Sequence, residues 1–136
     1  MKIIALKGRR ECGKSETIGI HLRALLTGIE YPREEWNRRK DIRECVLYKG
    51  KVVDICPPGD NADIVEANIA FIKENPCDVV FTATRTRGGS WDTLWDYAKI
   101  VGAGLIEEWK HYDDDLDKEG QTEENRKLAK RLFLMI

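Results

Sequence analysis

The stretch MKIIALKGRRECGKSET, residues 1–17, decides the fold of this chain. It opens with a short apolar segment rich in β-branched residues, KIIAL, which predicts a buried strand. It closes on the pattern G-x-x-x-x-G-K-[ST], whose fixed positions are Gly8, Gly13, Lys14 and Ser15. Apolar residues then follow at helical spacing as far as Gly28, which is placed to end a helix. A strand, a glycine-containing loop and a helix are the context in which this pattern forms a phosphate-binding loop.

Each fixed residue of the pattern has a physical task at a bound triphosphate. Glycines let backbone N–H groups converge on the phosphates, and the start of the helix directs further N–H groups and a positive dipole end at them. Lys14 would neutralise terminal phosphate oxygens, and the Ser15 hydroxyl would bind Mg²⁺. The expected nucleotide-binding residues are Gly8, Arg9, Arg10, Glu11, Cys12, Gly13, Lys14, Ser15 and Glu16. On this motif the chain resembles the P-loop nucleoside triphosphatases, which implies a nucleoside triphosphate and Mg²⁺ as ligands.

Length and charge limit the other function classes. The 136 residues suffice for one domain with one core, so we expect a single nucleotide-binding domain over 1–136. A net charge of −1 argues against the broad basic surface of a protein that grips duplex nucleic acid, but it leaves a local contact open. No apolar run approaches the length of a membrane span, so no membrane partner is expected and the predicted location is cytoplasmic.

The rest of the chain alternates between strand and helix patterns. ECVLYKGKVVDIC predicts an antiparallel hairpin with a tight turn at Lys49-Gly50. NADIVEANIAFIKENP, SWDTLWDYAKIVG and TEENRKLAKRLFLMI predict helices, the second capped by Ser90, whereas DVVFTAT and AGLIEEW predict strands. The tryptophans are expected in the core. This order predicts an α/β fold of three layers, with a mostly parallel sheet between flanking helices and the hairpin at one edge.

A magnesium site needs a second group, usually a carboxylate at the end of a strand beside the first. Asp54 in KVVDICPPGD is the preferred candidate because it follows two β-branched residues and precedes a Pro-Pro-Gly turn. Asp78 begins its strand and would lie at the opposite edge of the sheet. Asp60 could reach the γ-phosphate or a bound water, or it could cap the next helix together with Asn61. We therefore expect Ser15 and Asp54 as the metal ligands.

Arg85 and Arg87 follow the predicted strand DVVFTAT in a glycine-containing loop. Ligands of open α/β sheets bind outside the carboxyl ends of the strands, where the phosphate loop is also expected. An arginine at the γ-phosphate can stabilise the transition state of phosphoryl transfer. Lys14, Arg85 and Arg87 are therefore the candidate catalytic residues, and the alternative is that both arginines are surface charges.

Three branches of the superfamily share features with this sequence. The spacing from Gly8 to Asp54 resembles Ras-like GTPases, but D-x-x-G and N-K-x-D are missing, which favours ATP over GTP. DICPPGD resembles the D-x-P-P-G turn of the partitioning ATPases, which work as nucleotide-bridged dimers, and Arg9 stands where they have a signature lysine. A homodimer is therefore one alternative. Small nucleotide and metabolite kinases carry arginines after a core strand, as Arg85 and Arg87 stand here.

The segment YPREEWNRRKDIR, residues 31–43, is basic and carries two aromatic residues. It occupies the place where P-loop kinases and GTPases insert a substrate or switch element, so it could contact an acidic acceptor, a nucleotide base or a nucleic-acid strand. The leading hypothesis is a Mg²⁺-dependent ATPase. The alternatives are a small kinase that passes the γ-phosphate to a small acceptor, and a non-hydrolysing nucleotide sensor or dimerising switch that acts on a protein partner. No residue stands out as a general base.

Overall fold

The computed structural model describes residues 1–136 and confirms an α/β architecture built on one sheet. The strands are Lys2–Lys7 (β1), Glu44–Tyr48 (β2), Lys51–Cys56 (β3), Val79–Thr84 (β4) and Gly104–Trp109 (β5). They are arranged in the order β2-β3-β4-β1-β5. Only β2 and β3 are antiparallel, whereas β1, β3, β4 and β5 run parallel to one another. The mostly parallel sheet and its antiparallel edge hairpin are therefore confirmed.

Helices cover both faces of the sheet. The first, α1, is continuous and is α-helical at Lys14–Glu16, π-helical at Thr17–Leu22 and α-helical at Arg23–Thr27. A short helix, α2, consists of a 3₁₀ turn at Arg33–Glu35 and an α-helical turn at Trp36–Arg39. The remaining helices are Ala62–Glu74 (α3), Gly89–Val101 (α4) and Lys118–Phe133 (α5). The predicted helices are all present, while α2 and the π-helical turn were not predicted.

The core consists of two apolar layers because side chains alternate along β1. Ile4 and Leu6 pack with residues of α1 and α5, such as Ile18 and Leu132. Ile3 and Ala5 point to the other face of the sheet and pack with residues of α3 and α4. The chain therefore forms the expected three layers, with the sheet in the middle.

The turn of the edge hairpin explains why the strands pair in this register. Lys49 and Gly50 both have positive φ, 46° and 81°. Two central residues with positive φ are typical of the type I′ turn, whose twist matches that of paired antiparallel strands. The turn directly joins Tyr48 to Lys51, which face each other at the end of the hairpin.

Two local expectations fail. Ser90 does not cap α4: the N-cap is Gly88, and the Ser90 hydroxyl instead accepts a hydrogen bond of 3.0 Å from the backbone N–H of Arg85. Among the tryptophans, Trp36 is buried, but Trp95 and Trp109 are 40% and 44% exposed, so they are not core residues.

None of the helices combines the length and the apolar character that crossing a bilayer requires.

Candidate functional site

The loop after β1 leaves the sheet at its carboxyl edge, between the ends of two parallel strands. The Gly8 N–H continues the ladder to Thr84 O at 3.2 Å, and the Lys110 N–H donates to Lys7 O at 2.7 Å on the other side. A Cβ atom at Gly8 would lie 2.7 Å from Cys12 Sγ and 2.8 Å from Lys110 O, which is closer than real side chains approach. The loop can therefore fold back on itself only because residue 8 has no side chain.

The second glycine sets the angle at which the loop enters α1. Gly13 has φ of 100°, and Glu11 also has a positive φ, 56°. A Cβ atom at Gly13 would come within 2.8 Å of the Asn125 side chain of α5. Lys14 is the first residue of α1, so the unpaired N–H groups of this helix terminus face the loop. This arrangement is a concave set of backbone donors of the kind that binds anions.

The Lys14 side chain lies inside the loop and is 5% exposed. Its Nζ donates to Gly8 O at 2.8 Å and to Arg9 O at 2.6 Å. Burial lowers the pKa of Lys14 below its ordinary value, and the Arg85 charge lowers it further, against the opposing effects of Cys12 and Asp60. A buried ammonium held by neutral carbonyls is a favourable partner for an anion.

An open cleft of about 970 Å³ lies in front of the loop. Its walls are the loop and the start of α1, the helix α2, the turn after β3, and the start of α5 with the segment before it. Of the predicted binding residues, the cleft brings together Arg10, Glu11, Cys12, Gly13, Lys14, Ser15 and Glu16. Outside the loop, its charged and aromatic lining includes Arg33, Trp36, Lys40, Asp60, Tyr112 and Lys118.

Gly8 and Arg9 do not line this cleft. Gly8 lies at the base of the loop, where it shapes the backbone. The Arg9 guanidinium lies 4.4 Å from the centre of the Tyr112 ring, and its Nη2 is 3.7 Å from Asp114 Oδ1. Arg9 is therefore engaged with the segment that follows β5 in its own chain, whereas the resemblance to nucleotide-bridged dimers implied a contact with a second copy.

The turn after β3 carries a carboxylate into the cleft. Ser15 Oγ donates to Pro57 O at 3.3 Å, so the turn and the start of α1 are in contact. Asp60 lines the cleft and is close enough to raise the pKa of Lys14. Asn61 caps α3, because its Oδ1 accepts from the Ile64 N–H at 2.9 Å. The Asp60 carboxylate is thus not used as a helix cap, and it lines the same cleft as Ser15.

Asp54, the expected metal ligand, is not brought to the cleft. It is the fourth residue of β3, is 0% exposed, and pairs with Cys45 across the hairpin. The strand β4 also lies between β1 and β3, so Asp54 is not on a strand beside the loop. Burial raises the pKa of Asp54, against a lowering effect of the neighbouring Cys45 and Cys77 thiols. The strand ends at Cys56, as the predicted hairpin does, so Asp54 lies inside the strand and its carboxyl is buried.

The two candidate arginines differ in position. Arg85 follows β4 directly, is half-buried, and lies close enough for its charge to act on Lys14. Arg87 is exposed, and neither arginine lines the cleft. The geometry therefore keeps Arg85 as a candidate for the edge of a phosphate site and gives no such support to Arg87.

A polar cluster beside the loop was missed by the sequence interpretation. Asn125 Nδ2 donates to Glu16 Oε2 at 2.6 Å, and His21 Nε2 lies 3.5 Å from the same oxygen. Burial alone would raise the pKa of Glu16, but the neighbouring His21 ring and the hydrogen bond from Asn125 hold it below its ordinary value. Glu16 and His21 are five residues apart, a spacing that the π-helical turn brings to one face and an α-helix does not. No local pattern links them to Asn125 on α5.

Comparison with known proteins found no relative of this chain. No family model matches the chain, and neither a curated protein nor a solved structure matches it. Nowhere do three or more histidine, cysteine or acidic side chains form a group that could hold a metal ion by themselves.

Proposed function

We propose that this chain binds a nucleoside triphosphate with Mg²⁺ and hydrolyses its terminal phosphate, with ATP as the preferred nucleotide. The observation that carries the proposal is the loop itself. The motif residues Gly8, Gly13, Lys14 and Ser15 join β1 to α1 at the carboxyl edge of a mostly parallel sheet, with the ammonium of Lys14 enclosed by the loop. This is the structural context that the motif requires to bind phosphates.

The residues around the loop fit a magnesium ion bound together with a nucleotide. Mg²⁺ prefers oxygen ligands and is commonly held by one or two protein groups, several waters and the substrate phosphates. The Ser15 hydroxyl and the Asp60 carboxylate are oxygen groups of this kind at the cleft. When bound there, the ion would neutralise charge on the phosphates. We therefore propose Ser15 with Asp60, in place of Asp54, as the metal-binding pair.

The cleft also contains residues that suit the nucleoside. Tyr112 and Leu116, from the segment between β5 and α5, are among its few aromatic and apolar residues. Flat apolar surface beside a cluster of polar groups is typical of sites for ring-containing ligands. Arg85 is close to Lys14 and would add positive charge at the γ-phosphate, where charge shifts during phosphoryl transfer.

A second candidate function is phosphate transfer to a small anionic acceptor. Arg33 and Lys40, from the basic segment 31–43, line the same cleft as Lys14. Arg33 Nη2 donates to Thr122 Oγ1 at 3.3 Å and its guanidinium lies 4.0 Å from the centre of the Trp36 ring, so its position is defined from both sides. A cation in the same cleft as the phosphate loop would suit the anionic group of an acceptor.

ADP formation from ATP with Mg²⁺ tests the proposed activity, in the wild type, Lys14→Met and Lys110→Met. Lys110 is a matched control because it is also 5% exposed and its pKa is also lowered by burial, but its Nζ donates to His111 O and it does not line the cleft. We expect Lys14→Met to lower the rate by about a hundredfold or more and Lys110→Met to leave it nearly unchanged.

The same assay separates the alternatives. A rate that rises several-fold when a small phosphorylated or carboxylated acceptor is added supports the kinase. Binding of ATP without ADP formation contradicts hydrolysis and supports the nucleotide sensor. Equal rates for wild type and Lys14→Met would contradict a role for the loop in catalysis.

A further inference from the structure

A buried polar network lies behind the turn that carries Asp60. Asn68, on α3, is 0% exposed. Its Nδ2 donates to Pro58 O at 2.7 Å and to Thr82 Oγ1 at 3.3 Å, and its Oδ1 accepts from Arg43 Nε at 2.6 Å. An arginine can only donate and a carbonyl can only accept, so these partners fix which way the amide points.

The 57–60 turn is held on three sides. Pro57 O accepts from Ser15 Oγ at 3.3 Å on the cleft side, and the next carbonyl accepts from the buried amide on the other side. A Cβ atom at Gly59 would lie 1.7 Å from Ala83 O, so the turn is pressed against the end of β4. Pro57 and Pro58 have no N–H, and their carbonyls are the hydrogen-bonding groups that anchor this part of the turn.

We propose that Asn68 is a positioning residue: its bond to Pro58 O sets the turn so that the Asp60 carboxylate faces the metal position beside Ser15. This inference rests on the proposed binding of nucleotide with Mg²⁺. The contact acts two residues before Asp60, and a shift of the turn would move the carboxylate relative to Ser15. Small displacements of a metal-binding or catalytic group reduce its effect strongly.

Arg43 extends the network to the start of β2. It is the last residue of the basic segment 31–43, directly before the hairpin, and it donates to the amide oxygen of Asn68. The turn is thereby tied to the segment that joins α2 to β2. Asn68 connects three parts of the chain that are distant in sequence, which a residue serving α3 alone would not need to do.

Asn68→Asp tests the proposal because it keeps the size of the side chain but replaces the donor to Pro58 O by an acceptor. The readout is the ATP dissociation constant in EDTA divided by that in excess Mg²⁺. This ratio is the gain in affinity that Mg²⁺ provides. We expect Asn68→Asp to bind ATP in EDTA like the wild type and to reduce the gain from Mg²⁺ about tenfold, the effect of losing one well-placed hydrogen bond. Asp60→Asn should reduce the gain similarly, and the double variant should reduce it no further.

Asn75→Asp is the matched control. Asn75 Nδ2 also donates to a backbone carbonyl, Phe71 O at 3.0 Å, but at the far end of α3, so the Mg²⁺ gain should be unchanged. If Asn68→Asp does not fold, Arg43→Gln removes the contact from the other side and should reduce the gain about threefold.

Two results would overturn the positioning role. One is an Mg²⁺ gain in Asn68→Asp equal to that of the wild type. The other is an equal loss of affinity in EDTA and in Mg²⁺ that persists in the Asp60→Asn background, which would indicate a purely structural residue. Failure of the wild type to bind ATP, or to bind it better with Mg²⁺, would instead contradict the proposed function itself.

Discussion

Burial separates two carboxylates, one inside the edge hairpin and one in the turn that follows it. Asp54 is fully buried within β3, opposite Cys45, whereas Asp60 lies in the cleft after the strand has ended. Both residues stand close to the Pro-Pro-Gly turn, so residue type and spacing alone did not distinguish them. The position of the strand end decides it, and strand ends are set by pairing with β4, which lies far along the chain.

The free energy of unfolding of Asp54→Asn, relative to that of the wild type, should increase as pH rises. Because burial raises the pKa of Asp54, the folded protein retains this proton to higher pH than the unfolded chain does. The stability that the neutral form provides is complete below the unfolded pKa of about 3.9 and is lost as pH rises through the folded pKa. Urea unfolding at about pH 5 and about pH 8 measures the trend.

Asp96→Asn, on an exposed position of α4, is the control and should follow the wild type at both pH values. A wild type that gains stability over Asp54→Asn with rising pH would show that the Asp54 carboxylate is stabilised in its charged form and would contradict this account.

At the scale of elements, α1 and α2 show what helical periodicity leaves out. The apolar spacing after the loop predicts a helix ending at Gly28, and α1 ends there, with Gly28 in the left-handed conformation. The same spacing does not predict the π-helical turn at Thr17–Leu22. Residues of this turn contact parts of the chain that are distant in sequence. Within it, Gly19 lies against the backbone of Lys40, at the end of α2. These contacts join residues that no local pattern connects.

Gly19→Ala should displace α2 from α1. A Cβ atom there would lie 2.0 Å from Lys40 O, a backbone atom that cannot move without moving α2. We expect a loss of about 1–3 kcal/mol in the free energy of unfolding, as for other overpacked positions. Amide hydrogen exchange across residues 33–40 should become faster, because this helix would pack less firmly.

Gly104→Ala is the matched control for this prediction. A Cβ atom at Gly104 meets nothing within 4 Å, so its stability and its exchange rates at 33–40 should equal those of the wild type. Unchanged stability and unchanged exchange in Gly19→Ala would contradict the close contact between the two helices.

At the scale of the whole molecule, the sequence predicts the architecture but not the order of the strands. The alternation of strands and helices is enough to predict a mostly parallel sheet with helices on both faces, and that architecture is present. The loop and the segments that follow the other parallel strands meet at the carboxyl edge of the sheet, because every parallel strand ends at that edge. The order itself, with β4 between β1 and β3, is not encoded in any local pattern, and it is one reason why Asp54 does not lie on a strand beside the loop.

The candidate site also has a part that the sequence predicts and a part that it does not. The loop residues 8–15 are contiguous and carry a motif with a known physical task, so they were predictable. Asn68 and Asn125 reach the site through contacts between distant segments, and their residue types are common on any surface. Asp60 was a candidate from the sequence, but the sequence did not distinguish a group at the phosphates from a helix cap. Sequence alone therefore predicts the phosphate loop but not the full set of groups that surround it.

The most direct test of the central claim is calorimetric titration of ATP with Mg²⁺ into the wild type, Lys14→Met and Lys110→Met. The account predicts one binding event in the wild type, its loss in Lys14→Met, and its retention in Lys110→Met, because only Lys14 lies in the loop that faces the cleft. A wild type that binds neither ATP nor GTP, or a Lys14→Met variant that binds as tightly as the wild type, would contradict the account.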